Sequence, residues 1–361
     1  MISPIRNFID RMRGNGRHAI TTPPMDGVLQ PNNLIEDAAL LAEVTAPDNL
    51  ARAGGEVFVT SGTQMMKLSA GGVETVAGFP DEINAVAASP GGALAIVFAN
   101  GRVLIRGGAH DGLAIENKAL TCGTAVCFAG EDTVYVCQGS DRNPLSEWKR
   151  DLMERNALGS VWKIELAAGA FSRIAGGLAF PYGILARDDA SLVVAESWRS
   201  RLITFDGAGN VRSLLQDLPG YPARLMPRAD GRGVWLSLFA PRSQLIEFVL
   251  REDKFREDML RSIPSDLWMA PSLTAPHSFL EPLQGGGLKQ LGVMKPWAPT
   301  RSFGLVISLD ENLEPVASWH SRADGVRHGI TSIVDRGDGV IAASKGGNAL
   351  VFLVQRGGMP A

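Results

Sequence analysis

The stretch "FPYGILARDDASLVVAESWRSRLITFD" (Phe180–Asp206) decides the fold, because it reads as two strands around a tight turn followed by a third strand. The same pattern recurs in "APDNLARAGGEVFVTSGTQMMKL", "EINAVAASPGGALAIVFANGRVLI", "GTAVCFAGEDTVYVCQGS", "YPARLMPRADGRGVWLSLF" and "HGITSIVDRGDGVIAASKGGNALVFL". Six copies of one short strand unit are typical of units repeated around an axis. We therefore predict an all-β protein, a six-bladed β-propeller.

Composition agrees with one closed domain. The chain has 361 residues, 45% of them hydrophobic, and its 41 glycines and 21 prolines are spread through the turns. Radially repeated folds often exceed the usual length of about 150 residues for one domain. We predict that residues 36–357 form the propeller and that residues 1–35 form a separate N-terminal segment.

The net charge and the cysteine content limit the expected classes of binding partner and the expected cellular compartment. A net charge of −3 gives no basic face for phosphates, so nucleic acid is not an expected partner. The three cysteines, Cys122, Cys127 and Cys137, form no CxxC motif, and we expect them to pack as small hydrophobic residues in a reducing compartment. No apolar run is long enough for a signal peptide or a membrane span. These features predict a cytoplasmic protein.

The N-terminal segment carries an amphipathic pattern. Ile5, Phe8, Ile9 and Met12 recur at helical spacing, with arginines between them. A short helix is expected, packed on the propeller or on a second subunit of a dimer. Peripheral contact with a membrane surface is the alternative.

Aligning the six copies on their second strand locates the channel axis. Nine or ten residues before each second strand lie Asp48, Asn84, Thr124, Tyr182, Arg224 and Thr331. Since the innermost strand of each blade lines the channel, these positions should form a ring around one mouth. Every ring position is polar, which indicates either a ligand site or a ring of mutually satisfied polar groups. We take the ligand site as the hypothesis.

Two insertions interrupt the repeat, at about 140–158 and 241–301. Both show helical patterns, and insertions of this size in repeat proteins usually lie on the functional face. We expect them to form a partly helical lid over one mouth.

The sequence "GGLAFPYGILARDDASLVVAESWRSRLITF", followed by "LPGYPARLMPRADGRGVWLSL", resembles the strictosidine synthase-like proteins. These share a superfamily of six-bladed propellers with gluconolactonases, the senescence marker protein and paraoxonases. The similarity is greatest to the branch that includes adipocyte plasma membrane-associated protein, and it extends from Pro31 to the last repeat. The resemblance implies a small-molecule enzyme acting on a lactone, an ester or another carbonyl compound at the channel.

The hydrolytic relatives hold calcium with a Glu in "GPE", an Asn in the third blade, an Asn in "FPNG" and an Asp-Asn pair in "PDN". Here the matching positions are Asp48 in "APDN", Thr124, Tyr182 in "FPYG", and Ala223 with Arg224 in "PAR". Calcium takes six to eight oxygen ligands, and a guanidinium among them repels it. We therefore expect no metal and no other cofactor.

The substituted ring still suits carbonyl or anion recognition. Arg224 offers a fork of donors to an anionic substrate, and Tyr182 can donate to an oxyanion. Asp48 is a candidate general base if burial raises its pKa, and His328 in "GVRHGITS" is a candidate acid or base. We thus predict Asp48, Tyr182 and His328 as catalytic, and Asn84, Thr124, Arg224 and Thr331 as substrate-binding. Alternatively, an Asp48–Arg224 ion pair simply closes the channel.

Three functions follow. The first is a hydrolase of the lactonase or esterase type with a metal-free site. The second is a metal-independent condensation enzyme, a lyase of the strictosidine synthase-like kind, although the Glu that this chemistry uses falls at Thr331 or Ser332. The third is a propeller that binds a ligand without turnover.

Overall fold

The computed structural model describes residues 22–187, 189, 191–205, 209–275, 289–290, 293–294 and 300–354. Within them, six four-stranded antiparallel sheets are arranged as the blades of a propeller, which confirms the predicted fold. The first strand of each blade lies at the axis, and successive strands follow outward. The copies recognised in the sequence each correspond to one blade.

The strands of the first three blades, from the axis outward, are as follows. Blade 1 has β2 (Leu50–Ala53), β3 (Glu56–Ser61), β4 (Gln64–Ser69) and β5 (Gly72–Gly78); blade 2 has β6 (Ile83–Ala88), β7 (Leu94–Phe98), β8 (Arg102–Arg106) and β9 (Ala114–Glu116); blade 3 has β10 (Gly123–Phe128), β11 (Thr133–Gln138), β12 (Gly159–Glu165) and β13 (Ala170–Leu178).

The other three blades follow the same order. Blade 4 has β14 (Pro181–Ala186), β15 (Leu192–Glu196), β16 (Arg201–Phe205) and β17 (Val211–Leu215); blade 5 has β18 (Gly220–Pro227), β19 (Val234–Pro241), β22 (Leu305–Leu309) and β23 (Pro315–His320); blade 6 has β24 (Ile330–Asp335), β25 (Gly339–Ser344), β26 (Ala349–Val354) and β1 (Ala39–Glu43). A separate pair, β20 (Lys289–Gln290) and β21 (Val293–Met294), lies within the second insertion.

Blade 6 closes the circle by joining the two ends of the propeller. Its outermost strand, β1, comes from the N-terminal side and pairs antiparallel with β26, with Ala39 opposite Phe352 and Glu43 opposite Ala349. Closure of this kind pairs the ends of the chain that an open ring would leave as free edges.

The core consists of apolar layers between neighbouring blades. Val97 of blade 2 and Val136 of blade 3 are buried in one such layer, and Trp235 of blade 5 packs edge-on against Trp319 with ring centroids 5.1 Å apart. Cys122, Cys127 and Cys137 are buried and unpaired, as expected. Burial raises the pKa of the Cys127 thiol to about 12, so this thiol is inert at neutral pH.

Each insertion follows the last residue of the second strand of its blade. Because the first and second strands are antiparallel, this point lies beside the beginning of the first strand. The first insertion contains α1 (Trp148–Met153), and the second insertion contains α2 (Gln244–Val249) and α3 (Asp253–Ser262). Their apolar residues form one buried cluster with Phe180, Tyr182 and Phe239 of the blades. The described parts of both insertions thus form the predicted lid over the ring mouth.

The predicted N-terminal helix around Ile5–Met12 lies outside the described residues. Among the helices that the structure does describe, none has both the length and the apolar character needed to cross a membrane.

Candidate functional site at the channel axis

The structure brings the ring residues together, and it does so through a repeated backbone irregularity. Pairing between the first and second strands skips one residue at Asn84, Thr124, Tyr182 and Thr331, and it skips Ala223 and Arg224 in blade 5. Such β-bulges release a backbone carbonyl from the ladder and bend the strand locally. Ring positions are therefore set by bulges at the start of the inner strands.

Arg224 lies at the centre of the ring. Its Nη1 donates to Asp48 Oδ1 at 2.7 Å and to the Thr331 carbonyl at 3.3 Å. Its Nη2 donates to the carbonyls of Asn84 at 2.9 Å and Thr124 at 3.1 Å. One guanidinium from blade 5 therefore contacts blades 2, 3 and 6 and the loop that enters blade 1.

Asp48 lies between two cations. One carboxylate oxygen accepts from Arg224, and the other accepts from Lys345 Nζ at 2.6 Å. Burial alone would raise the pKa of the Asp48 carboxyl, but the charges of Lys345 and Arg224 outweigh it and hold the pKa far below its usual range. The carboxylate is ionised at neutral pH and is a very weak base, contrary to the condition under which we expected it to act as a general base.

Sequence reasoning missed Lys345, because this residue follows the second strand of blade 6 and the ring alignment considered only first strands. The residues directly after the six second strands are Gly62, Ala99, Gly139, Ser197, Arg242 and Lys345. Only two of them are charged, and Arg242 pairs with Glu247 of the lid. A scan of these positions would have found Lys345, whose side chain is 28% exposed and is the accessible cation of the cluster.

Tyr182 covers the guanidinium from the lid side. The Arg224 Cζ atom lies 5.0 Å from the centre of the Tyr182 ring, within cation–π range. Phe180 and Phe239 pack edge-on against Tyr182 at 5.8 and 5.6 Å. Burial, and then the charge of Asp48, raise the pKa of the Tyr182 hydroxyl, so it keeps its proton at neutral pH.

The two threonines of the ring link neighbouring blades. Thr124 Oγ1 donates to the Pro181 carbonyl at 2.5 Å, and Thr331 Oγ1 donates to the Asp48 carbonyl at 3.0 Å. Asn84 contributes its backbone carbonyl to Arg224, as described. At these three positions, the observed hydrogen bonds hold the ring together.

His328 contacts partners other than the ring residues. Its Nε2 lies 2.8 Å from the Arg322 carbonyl, and its Nδ1 lies 2.7 Å from Ser302 Oγ. Since a carbonyl can only accept, Nε2 carries the proton and Nδ1 accepts from the Ser302 hydroxyl. Burial lowers the pKa of His328, which keeps the imidazole neutral at pH 7. Both nitrogens are thus bonded to residues that flank the outer strands of blade 5, outside the cluster around Asp48.

The opposite mouth of the channel holds a cavity of about 400 Å³. All six inner strands line it, with mainly apolar residues such as Val86, Cys127, Leu185 and Ile333. Arg224 is also among the lining residues, and on its other side it meets Tyr182 beneath the lid. The guanidinium therefore separates this cavity from the lid side of the axis.

Comparison with known proteins bears on the fold. No protein-family model matches the sequence, and no curated protein is detectably similar to it. Among solved structures, a gluconolactonase from Xanthomonas campestris is similar with a TM-score of 0.53 and 14% identity, and the match covers 88% of each chain. A candidate gluconolactonase is similar with a TM-score of 0.52 and 10% identity, covering 88% of this chain and 92% of the other. At these identities the similarity shows a shared propeller fold.

Proposed function

We propose that this protein is a metal-independent enzyme acting on a lactone, an ester or another carbonyl compound at the lid side of the axis. The proposal rests on the net charge of the axial cluster, which consists of Asp48, Arg224 and Lys345. Arg224 and Lys345 share one carboxylate, Asp48, so the axis has one positive charge in excess. A fixed positive charge in a site of low polarity stabilises the oxyanion that forms when a carbonyl is attacked.

Calcium, the metal that the resemblance implies, does not fit these residues. The oxygens that converge on the axis already accept hydrogen bonds from the Arg224 guanidinium. Within the described ranges, no group of three His, Cys, Asp or Glu side chains is placed to hold a metal ion. We propose that the protein's own cations take over the electrostatic role of a metal.

The proposal also requires hydrogen-bond donors that a substrate carbonyl oxygen can reach. Most of the N–H groups of Arg224 are already bonded to protein oxygens, whereas Lys345 is partly exposed and has two further donors. Burial lowers the pKa of Lys345, but Asp48 outweighs it and the net shift is upward. Lys345 and Tyr182 are therefore both protonated donors for a carbonyl oxygen. Asp48 orients Lys345.

In a hydrolysis at this site, water adds to the carbonyl carbon and the bond to the leaving oxygen breaks. The proton of the water ends on the released alkoxide. Lys345 and Tyr182 stabilise the charge on the carbonyl oxygen without giving up a proton. The low pKa of Asp48 means that the attacking water receives little help from a base here. We therefore expect substrates with good leaving groups or strained rings.

The test is turnover of a panel of γ- and δ-lactones and aryl esters, measured in EDTA. Lys345→Met keeps the side-chain length and removes the charge, and we expect it to lower kcat/KM at least about tenfold, the scale of one lost electrostatic contact. Lys67→Met is the matched control, since Lys67 forms its ion pairs on an outer strand of blade 1. Equal kcat/KM for Lys345→Met and the wild type would overturn the assignment, as would loss of turnover in EDTA.

Binding without turnover is the second candidate, and one observation favours it. The Arg224 network ties the blades together across the axis, as a purely structural plug would. If no member of the panel is hydrolysed while Lys345→Met still weakens binding of a carboxylate ligand, this candidate replaces the first.

The condensation alternative has a hydroxyl, and not a carboxylate, at both positions where the resemblance implies the Glu. Thr331 Oγ1 donates to the Asp48 carbonyl, and Ser332 Oγ accepts from the Leu50 N–H. Neither hydroxyl replaces the carboxylate of the strictosidine synthase-like chemistry.

A further inference from the structure

Four oxygens accept hydrogen bonds of 3.3 Å or shorter from the end of the Arg224 side chain, and we call them the axial oxygen cage. They are Asp48 Oδ1 and the backbone carbonyl oxygens of Asn84, Thr124 and Thr331, at 2.7 to 3.3 Å from Nη1 or Nη2. All four residues are buried. The Asp48 backbone carbonyl is a fifth, longer acceptor at 3.5 Å from Nη1. The four oxygens of the cage therefore come from four segments that are distant in sequence. The cation that they surround comes from a fifth segment.

The cage is positioned by contacts that do not involve the guanidinium. The bulges at Asn84, Thr124 and Thr331 are set by pairing with the second strands. In addition, Ser237 Oγ lies 3.2 Å from the Thr331 carbonyl, and Lys345 holds the second oxygen of Asp48. We therefore expect the oxygens to keep their places when the Arg224 side chain is shortened.

We propose that the axial oxygen cage is a guanidinium-binding site that the native chain fills with its own Arg224. When the side chain is removed, the site takes up a free guanidinium ion. The acceptors are divided between two nitrogens of one planar group, which is the geometry of a fork donor. A calcium ion would need six to eight oxygens at 2.3 to 2.6 Å, and the cage supplies four with a single carboxylate. This inference holds whether or not the protein turns over a substrate.

The experiment is chemical rescue of Arg224→Ala. We expect its Tm to lie well below that of the wild type, and guanidinium chloride at about 10 mM, far below the molar range that unfolds proteins, to raise it. The rise should saturate with concentration and reach about 3 °C or more, as expected for a ligand that binds only the folded state. Urea at the same concentration should have no effect.

Two controls separate binding from a general solvent effect. Val136→Ala removes buried methyl groups from the layer between blades 2 and 3, and guanidinium should not raise its Tm. The double variant Asp48→Asn/Arg224→Ala removes the only charged member of the cage and should lose the rescue. A flat response of Arg224→Ala, an equal rise in Val136→Ala, or rescue by calcium chloride but not by guanidinium would overturn the proposal.

Arg224→Lys keeps the proposal testable if Arg224→Ala does not fold. Lysine preserves the charge but supplies one nitrogen instead of two, so it cannot reach all four oxygens at once. We expect a lower Tm than in the wild type. An unchanged Tm would show that the site requires only a positive charge, and would overturn the assignment to guanidinium.

Discussion

Two buried carboxylates, Asp48 and Glu196, are each held by two cations, and they differ in where those cations come from. Glu196 accepts from Arg199 at 2.7 Å and Arg201 at 2.5 Å, and all three lie within blade 4. Asp48 accepts from Arg224 of blade 5 and from Lys345, which follows the second strand of blade 6. The first cluster fixes one blade, whereas the second connects blades that are remote in sequence.

The difference also concerns solvent. Arg199 and Arg201 are 44% and 21% exposed, so water shares in the solvation of their charges. Arg224 is 9% exposed and depends on its protein partners for solvation. The cost of losing a partner should therefore be larger at the axis than in blade 4.

The largest expected effect is that of Arg224→Ala on stability. Removing one partner from a buried ion pair costs about 3–5 kcal/mol, because the remaining charge and the three backbone carbonyls lose their donor. Arg201→Ala is the matched variant, and we expect it to cost about 1.5 kcal/mol, since Arg199 and the Ala179 N–H still bind Glu196. The measurement is the free energy of unfolding from denaturant titration. Equal losses of unfolding free energy in Arg224→Ala and Arg201→Ala would show that the axial ion pair is no more important for stability than the one within blade 4.

A smaller effect is expected from Lys345→Met. The side chain is partly exposed, so the stability loss should be about 1 kcal/mol or less, much below that of Arg224→Ala. The loss of turnover should nevertheless be the greater of its two effects. A stability loss as large as that of Arg224→Ala would show that Lys345 is part of the plug and not a substrate donor.

In mildly acidic solution, protonation of His320 and His328 should change the free energy of unfolding more than protonation of Asp48 does. Burial lowers the pKa of His320 to about 4, and burial also lowers the pKa of His328. A histidine with a depressed pKa stabilises the fold above its unfolded pKa of about 6.5, and this contribution is lost as pH falls toward the folded pKa.

The folded pKa of Asp48 lies below its unfolded value, so its contribution persists until the solution is much more acidic. Unfolding free energies between pH 7 and 4 should therefore fall in the wild type and fall less in His320→Gln. The same slope in both proteins would exclude His320 as the cause.

The fold could be predicted from the sequence because each blade is a local pattern. Strand, turn and strand follow one another within about 25 residues, and the alignment of the copies was sufficient to place Asp48, Tyr182 and Arg224 around one axis. The cluster around Glu196 is local in the same sense, since its partners Arg199 and Arg201 follow within five residues.

The site was less predictable because its contacts depend on strand register and on residues that are far apart in the sequence. Asn84, Thr124 and Thr331 were expected to offer side chains to a substrate, but their backbone carbonyls bind Arg224, since bulges turn them to the axis. A bulge depends on the register with the next strand, which the residue type alone does not show. The position of His328 likewise depends on a contact with Ser302, 26 residues away.

The central claim, that a protein cation holds the axis, is tested most directly by a double-mutant cycle between Asp48 and Arg224. The free energy of unfolding is measured for the wild type, Asp48→Asn, Arg224→Ala and the double variant. We predict a coupling energy of about 2 kcal/mol or more, as found for buried charge pairs in contact. A coupling below about 0.5 kcal/mol, the range of independent sites, would contradict the account.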